Sequence, residues 1–189
     1  MANDVDLDPE GNAYVTDTKQ NIIWKVSLDG STVSVQSSPI FESQSSKLHF
    51  NGIGLNGIVY HPDGFLLVVH TFSGAIFKSS LDGVDVSVVN TSSAMFMGDG
   101  LALLSPEKMV VVGSLATRLL ESRDGWKSAQ LTHKYVGPMH RLATTATIKD
   151  GKAFVNHMFG FGFGNGKHII LNIFYALLIL CDMVMHKLY

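Results

Sequence analysis

Three times in this chain an asparagine or aspartate opens a short apolar strand, and each time an Asp-Gly turn follows at nearly the same interval. Asn3 leads to Asp29-Gly30, Asn56 to Asp82-Gly83 and Asp99 to Asp124-Gly125, spacings of 26, 26 and 25 residues. In the first two units Gly11 and Gly64 also fall 8 residues after the leading Asn, within Asp8-Pro9-Glu10-Gly11 and His61-Pro62-Asp63-Gly64. Two coincident spacings in one frame mark an internal repeat, and a unit of this size buries its apolar face only by stacking on its neighbours. If each unit is one blade of a propeller, the leading residues sit at one height near the shared axis, where their side-chain oxygens gather around a common point.

Within each unit, runs of β-branched and apolar residues alternate with Gly, Asp and Ser, the pattern of antiparallel strands and not of amphipathic helices. The first unit predicts strands near Val5 to Leu7, Ala13 to Thr16, Ile22 to Val26 and Thr32 to Val35. The second predicts Ile58 to Tyr60, Phe65 to Val69, Ala75 to Lys78 and Val86 to Val89. The third is looser, with Leu101 to Leu104, Met109 to Val112, Arg118 to Glu121 and Ala129 to Leu131, and with Glu107-Lys108 in place of an Asp-Gly turn. Leading residues 3, 56 and 99 are spaced by 53 and then 43. The longer interval holds the Ser-rich stretch Gln36 to Ser46, read as a surface insertion on a period that suits four-stranded blades. A fourth unit opens near Ala143, with Ala146 to Lys149 and Lys152 to Asn156 joined through Asp150-Gly151 and no oxygen ligand at its head.

The expected fold is therefore all-β. Residues 1–164 form three to four blades of a propeller, starting near 3, 56, 99 and 143, and a divergent apolar tail occupies 165–189. Propellers close with four to eight blades, so further blades are expected before Met1.

A hydrophobic content of 46% over 189 residues is enough for a sizeable core and argues against disorder. A net charge of −2 with 16% charged residues excludes a nucleic-acid partner, which needs clustered Lys and Arg. Cys181 stands alone, so neither a disulfide framework nor a zinc motif is available, and it reads as a small buried apolar residue. Met1-Ala2-Asn3-Asp4 carries no secretory leader, and the sequon Asn90-Thr91-Ser92 has meaning only in a secreted chain.

Phe159 to Gly164 alternates Phe with Gly like a closely approached strand, and Asn165-Gly166-Lys167-His168 lacks the spacing of a phosphate loop. Ile169 to Met185 is short for a bilayer span and is interrupted by Asn172 and Asp182. It reads against a membrane anchor, with a buried helix, a marginal anchor and an artefactual terminus left open.

The blade openings Asn3 to Asp17, Leu55-Asn56-Gly57-Ile58-Val59-Tyr60 and Gly98-Asp99-Gly100-Leu101 resemble, in order, those of the senescence marker protein/gluconolactonase/regucalcin family, and most closely its plant members. The resemblance covers residues 3 to about 164. It implies a six-bladed propeller that holds a divalent metal, usually calcium, in its central channel and hydrolyses lactones or related esters. By motif position it implies Asn56 and Asp99 as metal ligands, with Asn3 at the metal or substrate side. The glutamate ligand of an earlier blade has no match in this chain. Strictosidine-synthase-like propellers, which need no metal, are similar at a lower level.

Asn carbonyls and an Asp carboxylate are hard donors suited to calcium or magnesium, and the ion they hold stays positive enough to polarise an ester carbonyl. Asp99 is the candidate base that activates water, and His70, 14 residues after Asn56, is a second catalytic candidate as a proton shuttle. Asp17 holds the equivalent place after Asn3. The competing reading is a non-catalytic propeller scaffold in which Asn and Asp only start strands through Asx turns. His61, His133, His140, His157 and His168 are assigned to turns or surface, and Trp24 and Trp126 to packing between blades. No Gly-x-Ser-x-Gly elbow supports a serine hydrolase.

Overall fold

Asp29-Gly30, Asp82-Gly83 and Asp124-Gly125 each land at the turn between the third and fourth strands of an antiparallel sheet. The computed structural model describes residues 1–45, 53–137, 141–160 and 171–172. Blade 1 consists of β1 (Ala2–Leu7), β2 (Ala13–Asp17), β3 (Ile22–Val26) and β4 (Thr32–Ser37), and the helix α1 (Pro39–Ser45) follows it. Blade 2 consists of β5 (Leu55–His61), β6 (Phe65–His70), β7 (Ile76–Ser80) and β8 (Val86–Thr91). Blade 3 consists of β9 (Gly98–Ser105), β10 (Lys108–Gly113), β11 (Thr117–Glu121) and β12 (Ser128–Tyr135). Blade 4 comprises β13 (Arg141–Lys149), β14 (Lys152–Gly160) and the two-residue β15 (Leu171–Asn172). The inner strands β1, β5, β9 and β13 lie side by side in that order, which is the arrangement of successive propeller blades.

The turns share more than Asp-Gly. Ser27, Ser80 and Ser122, each two residues before the Asp, donate their hydroxyls to Asp29, Asp82 and Asp124 at 2.5, 2.5 and 3.0 Å. The glycines that follow take φ of 85, 74 and 68°, which a side chain at that position would resist.

Cross-strand registers align one apolar row across each of the first two blades: Val5, Val15, Trp24 and Val35 in blade 1, and Ile58, Val68, Phe77 and Val88 in blade 2. Ile58, Val68 and Phe77 pack against Tyr14 and Ile23 of blade 1. A second core joins blades 2 and 3 through Leu67, Val69, Leu101, Val111 and Trp126, and a third joins blades 3 and 4 through Val110, Val112 and Val155. The row of blade 1 has no such partner among the described residues, and Val5 and Val35 stay 53% and 44% exposed. Trp126 thus packs between blades as expected, whereas Trp24 is half-buried on this outward face.

Two expectations change here, the stretch after β4 and His61. The stretch after β4 is not merely a surface insertion, because α1 drops Phe41 fully into the core, edge-on to Phe77 at 5.0 Å. Blades 2 and 3 are further joined at their outer strands, where β8 and β12 pair in parallel at Asn90 with Ser128 and Thr91 with Ala129, giving one sheet of eight strands.

His61 is not a surface residue. It is 1% exposed and stacks on Phe65. The Asp63 amide donates to its Nδ1, so the ring proton sits on Nε2 and is given to the Pro106 carbonyl at 2.8 Å. That carbonyl also accepts from Trp126 Nε1 at 2.9 Å, which ties blade 2 to blade 3.

No helix among the described residues is long and apolar enough to cross a membrane. The expectations for His140, Phe161 to Gly164, His168, Ile169 to Met185 and Cys181 fall mainly outside the described residues.

Candidate functional site

At the start of every inner strand the pairing slips by one residue. Asn3 and Asp4 together face Thr16, Asn56 and Gly57 face Val69, and Asp99 and Gly100 face Val112. Such a bulge breaks side-chain alternation and re-aims the strand, a common device beside functional sites. Its second position is crowded. A Cβ on Gly57 would overlap the Asp99 carbonyl oxygen and lie 2.9 Å from the Leu101 amide, and one on Gly100 would lie 2.7 Å from the Thr144 carbonyl oxygen. The same relation aligns Thr144 with Asp99, and β13 carries the matching slip around Thr144. The fourth blade therefore opens on Thr144 and not Ala143, and its head does carry an oxygen, a hydroxyl.

Asn56 is held at its backbone and at its side chain. Its backbone carbonyl accepts from Thr16 Oγ1 of blade 1 at 2.7 Å and its Nδ2 donates to Thr71 Oγ1 at 2.9 Å, while the Thr71 carbonyl accepts from the Met97 amide of blade 3 at 2.8 Å. With the amide fixed in this way, Asn56 Oδ1 is buried and has no hydrogen-bond partner, an arrangement that costs stability unless something fills the acceptor. On the next blade the Asp99 carboxyl is pushed up to about 6, first by burial and then by the negative charge of Asp4, with the Asn56 side chain opposing.

Asp4 belongs to the site although the repeat pattern passed over it. Burial pushes its carboxyl up, and its Oδ2 accepts from the Ile58 amide at 3.1 Å, while Asp6 Oδ2 accepts from the Tyr60 amide at 2.7 Å. Two carboxylates of β1 thus cap the open edge of β5. Asn3, in the same bulge, is exposed. The structure therefore groups Asp4, Asn56 and Asp99, with Asn3 at the rim. The available signal was positional: Asp4 fills the bulge position that is Gly57 and Gly100 in the next two blades.

His70 is 2% exposed and lies on the face of β6 shared with Leu66 and Val68, toward blade 1. Its Nδ1 accepts from the Ser73 amide at 3.2 Å, which leaves the proton on Nε2, and that atom is buried without a partner. Burial lowers its pKa to about 4, so the ring is neutral at physiological pH and its open atom is a donor. Among the described residues no hydrogen bond joins it to Asn56 or Asp99. Asp17, at the equivalent place in blade 1, accepts the Lys19 and Gln20 amides and so shapes its own loop. His157, expected at the surface, occupies this same station in blade 4 by its pairing with Ala143. It is 5% exposed with Nδ1 unpartnered.

No group of three His, Cys, Asp or Glu able to hold a metal occurs among the described residues. What converges is two carboxylates raised in pKa and one orphaned amide oxygen. That donor set is hard, anionic and under-coordinated, which suits a divalent cation of the calcium or magnesium type.

No protein-family model and no curated protein matches this chain. Solved structures do. Virginiamycin B lyase from Staphylococcus aureus superposes with a TM-score of 0.59 at 11% identity, covering 91% of this chain and 55% of that one. The major allergen Mala s 1 of Malassezia sympodialis gives 0.59 at 20% identity, over 89% of this chain and 52% of that one. A gluconolactonase from Xanthomonas campestris gives 0.55 at 16% identity, over 84% and 54%. These likenesses show the β-propeller fold, and the chain spans about half the length of each of these neighbours.

Proposed function

We propose that the chain is part of a metal-dependent hydrolase of small lactones or esters, with a divalent cation such as calcium held by Asn56 and Asp99 and with Asn3 at the same station of blade 1. The observation that carries this reading is the buried, unpartnered Asn56 Oδ1 beside the raised Asp99 carboxyl. Polar groups in that state are rarely kept in a core unless a ligand completes them. Asp4, beside Asn3, adds negative charge to the same place. The gluconolactonase among the structural neighbours is consistent with such a scaffold.

When bound, the cation would supply a Lewis acid for the ester carbonyl. The residues of this chain do the rest. Thr16 holds the Asn56 backbone carbonyl and Thr71 holds its Nδ2, so that the side-chain Oδ1 cannot rotate away. Asp99, ionised near neutral pH, is the residue placed to take the proton of an attacking water. His70 is the second candidate, able to donate a hydrogen bond from its Nε2–H to a substrate oxygen.

Calcium titration by calorimetry tests the reading. Wild-type protein should bind one cation, Asn56→Ala should bind it more weakly, and Asp99→Ala should not bind it. An isotherm unchanged by Asp99→Ala, or no binding by any variant, would instead leave the Asn and Asp residues as strand starters of a non-catalytic scaffold.

A further inference from the structure

Blade 3 breaks the apolar pattern of its neighbours at one place. The station that holds Trp24 in blade 1 and Phe77 in blade 2 is Arg118 in blade 3, and the next position outward, Val35 and Val88 in those blades, is Lys134. Arg118 is 6% exposed and Lys134, its direct cross-strand partner, is exposed. Two cations opposite each other on adjacent strands repel, and a buried guanidinium without a counter-charge is costly.

The described residues provide no counter-charge. Arg118 Nη2 donates to the Phe96 carbonyl at 3.1 Å and Nη1 to the Ala116 carbonyl at 3.4 Å, and neither Arg118 nor Lys134 has a carboxylate in ion-pair range among the described residues. Two acids of blade 3 are engaged elsewhere: Glu121 meets Lys108 at 3.3 Å and Asp124 accepts from its own turn. The loop between β8 and β9 that brings the Phe96 carbonyl to the guanidinium, residues 92–97, contains no Asp or Glu. Burial, with nothing opposing it, pulls the guanidinium's pKa down.

We propose that Arg118 and Lys134 form an oxyanion-binding site at the seam between blades 2 and 3, taking a carboxylate or phosphate group. Two backbone carbonyls hold the guanidinium plane in place, and its remaining N–H groups form the planar fork that matches two oxygens of one anion. Lys134 supplies the second charge from the rim. Exposed Phe96 and Leu115, in the loops that carry or adjoin the two carbonyls, flank the entrance. The site stands apart from the Asn56 and Asp99 station and does not depend on the cation reading.

The test titrates the protein with sodium phosphate and, separately, sodium acetate at constant ionic strength, following the Arg118 Nε–H resonance by NMR and the thermal midpoint. At least one anion should shift that resonance saturably and raise the midpoint; a response to phosphate alone identifies a phosphate-bearing ligand, and one to acetate a carboxylate. Arg118→Met should match or exceed the wild-type midpoint without anion and lose the response, and Lys134→Ala should weaken binding about tenfold. The proposal fails if neither anion gives a saturable shift in wild type, or if Arg118→Met lowers the midpoint and keeps the anion response. Should Arg118→Met not fold, the decision passes to Lys134→Ala: affinity equal to wild type overturns the site, and a loss upholds it.

Discussion

Asp99→Asn should make the cation-free protein more stable near neutral pH and leave it unchanged in acid. The carboxyl keeps its proton to about pH 6 in the fold, against an ordinary value of 3.8. Below 3.8 it is protonated folded and unfolded alike, and contributes nothing. As pH rises from there toward 6, the unfolded chain releases the proton while the fold retains it, so stability falls with rising pH and levels off above 6. At about 1.36 kcal/mol per pH unit the full penalty is about 3 kcal/mol. Solvent reaches the half-buried carboxyl, and screening reduces this to about 1–2 kcal/mol. The amide removes that charge and its repulsion by Asp4 with little change in shape. Thermal melts in chelator should therefore show Asp99→Asn above wild type by roughly 2–8 °C at pH 7.5, with the curves converging at pH 3.5. A variant that is destabilised equally at both pH values would refute the reasoning, since the carboxyl would then be a structural acceptor and not a strained site.

Gly57→Ala should be severely destabilising, by about 3 kcal/mol or more, because its methyl meets the backbone of β9, which cannot step aside as a side chain would; chemical denaturation measures it. Phe41→Ala should cost about 3–5 kcal/mol by the same assay, since a fully buried ring in edge contact with Phe77 is removed. Asp4→Asn should lower the Asp99 pKa toward its ordinary value by removing the nearby negative charge, read from the Asp99 carboxyl carbon in a 13C NMR titration; an unmoved pKa would place Asp4 too far away to matter.

The repeat made blades legible because strand alternation and Asp-Gly turns are local: each depends on a few neighbouring residues, and the interval between them carried the architecture. Residues 56 and 99 were legible for the same reason, since equivalent stations in a repeat occupy equivalent places. Asp4, His157 and Thr144 were not. A bulge shifts alternation by one residue, and neither the slip nor the burial of His157 beneath the neighbouring blade is written in its own segment. His61 looked like a turn residue because Pro62-Asp63-Gly64 does form a turn; its burial comes from the Pro106 carbonyl, 45 positions away in sequence. Phe41 was hidden in a Ser-rich stretch whose composition suggests surface and whose one aromatic packs edge-on against Phe77.

By itself, then, the sequence determined the all-β class, the blade period, the turns and the presence of oxygen-bearing residues at the head of three blades. Only the tertiary structure decided which of those residues are buried beside one another, which charges lack partners and which histidines lose contact with water. The physical reason is range. Turns and strands are set by torsions and hydrogen bonds within a few residues, whereas desolvation and charge coupling depend on what the neighbouring blade brings against a side chain.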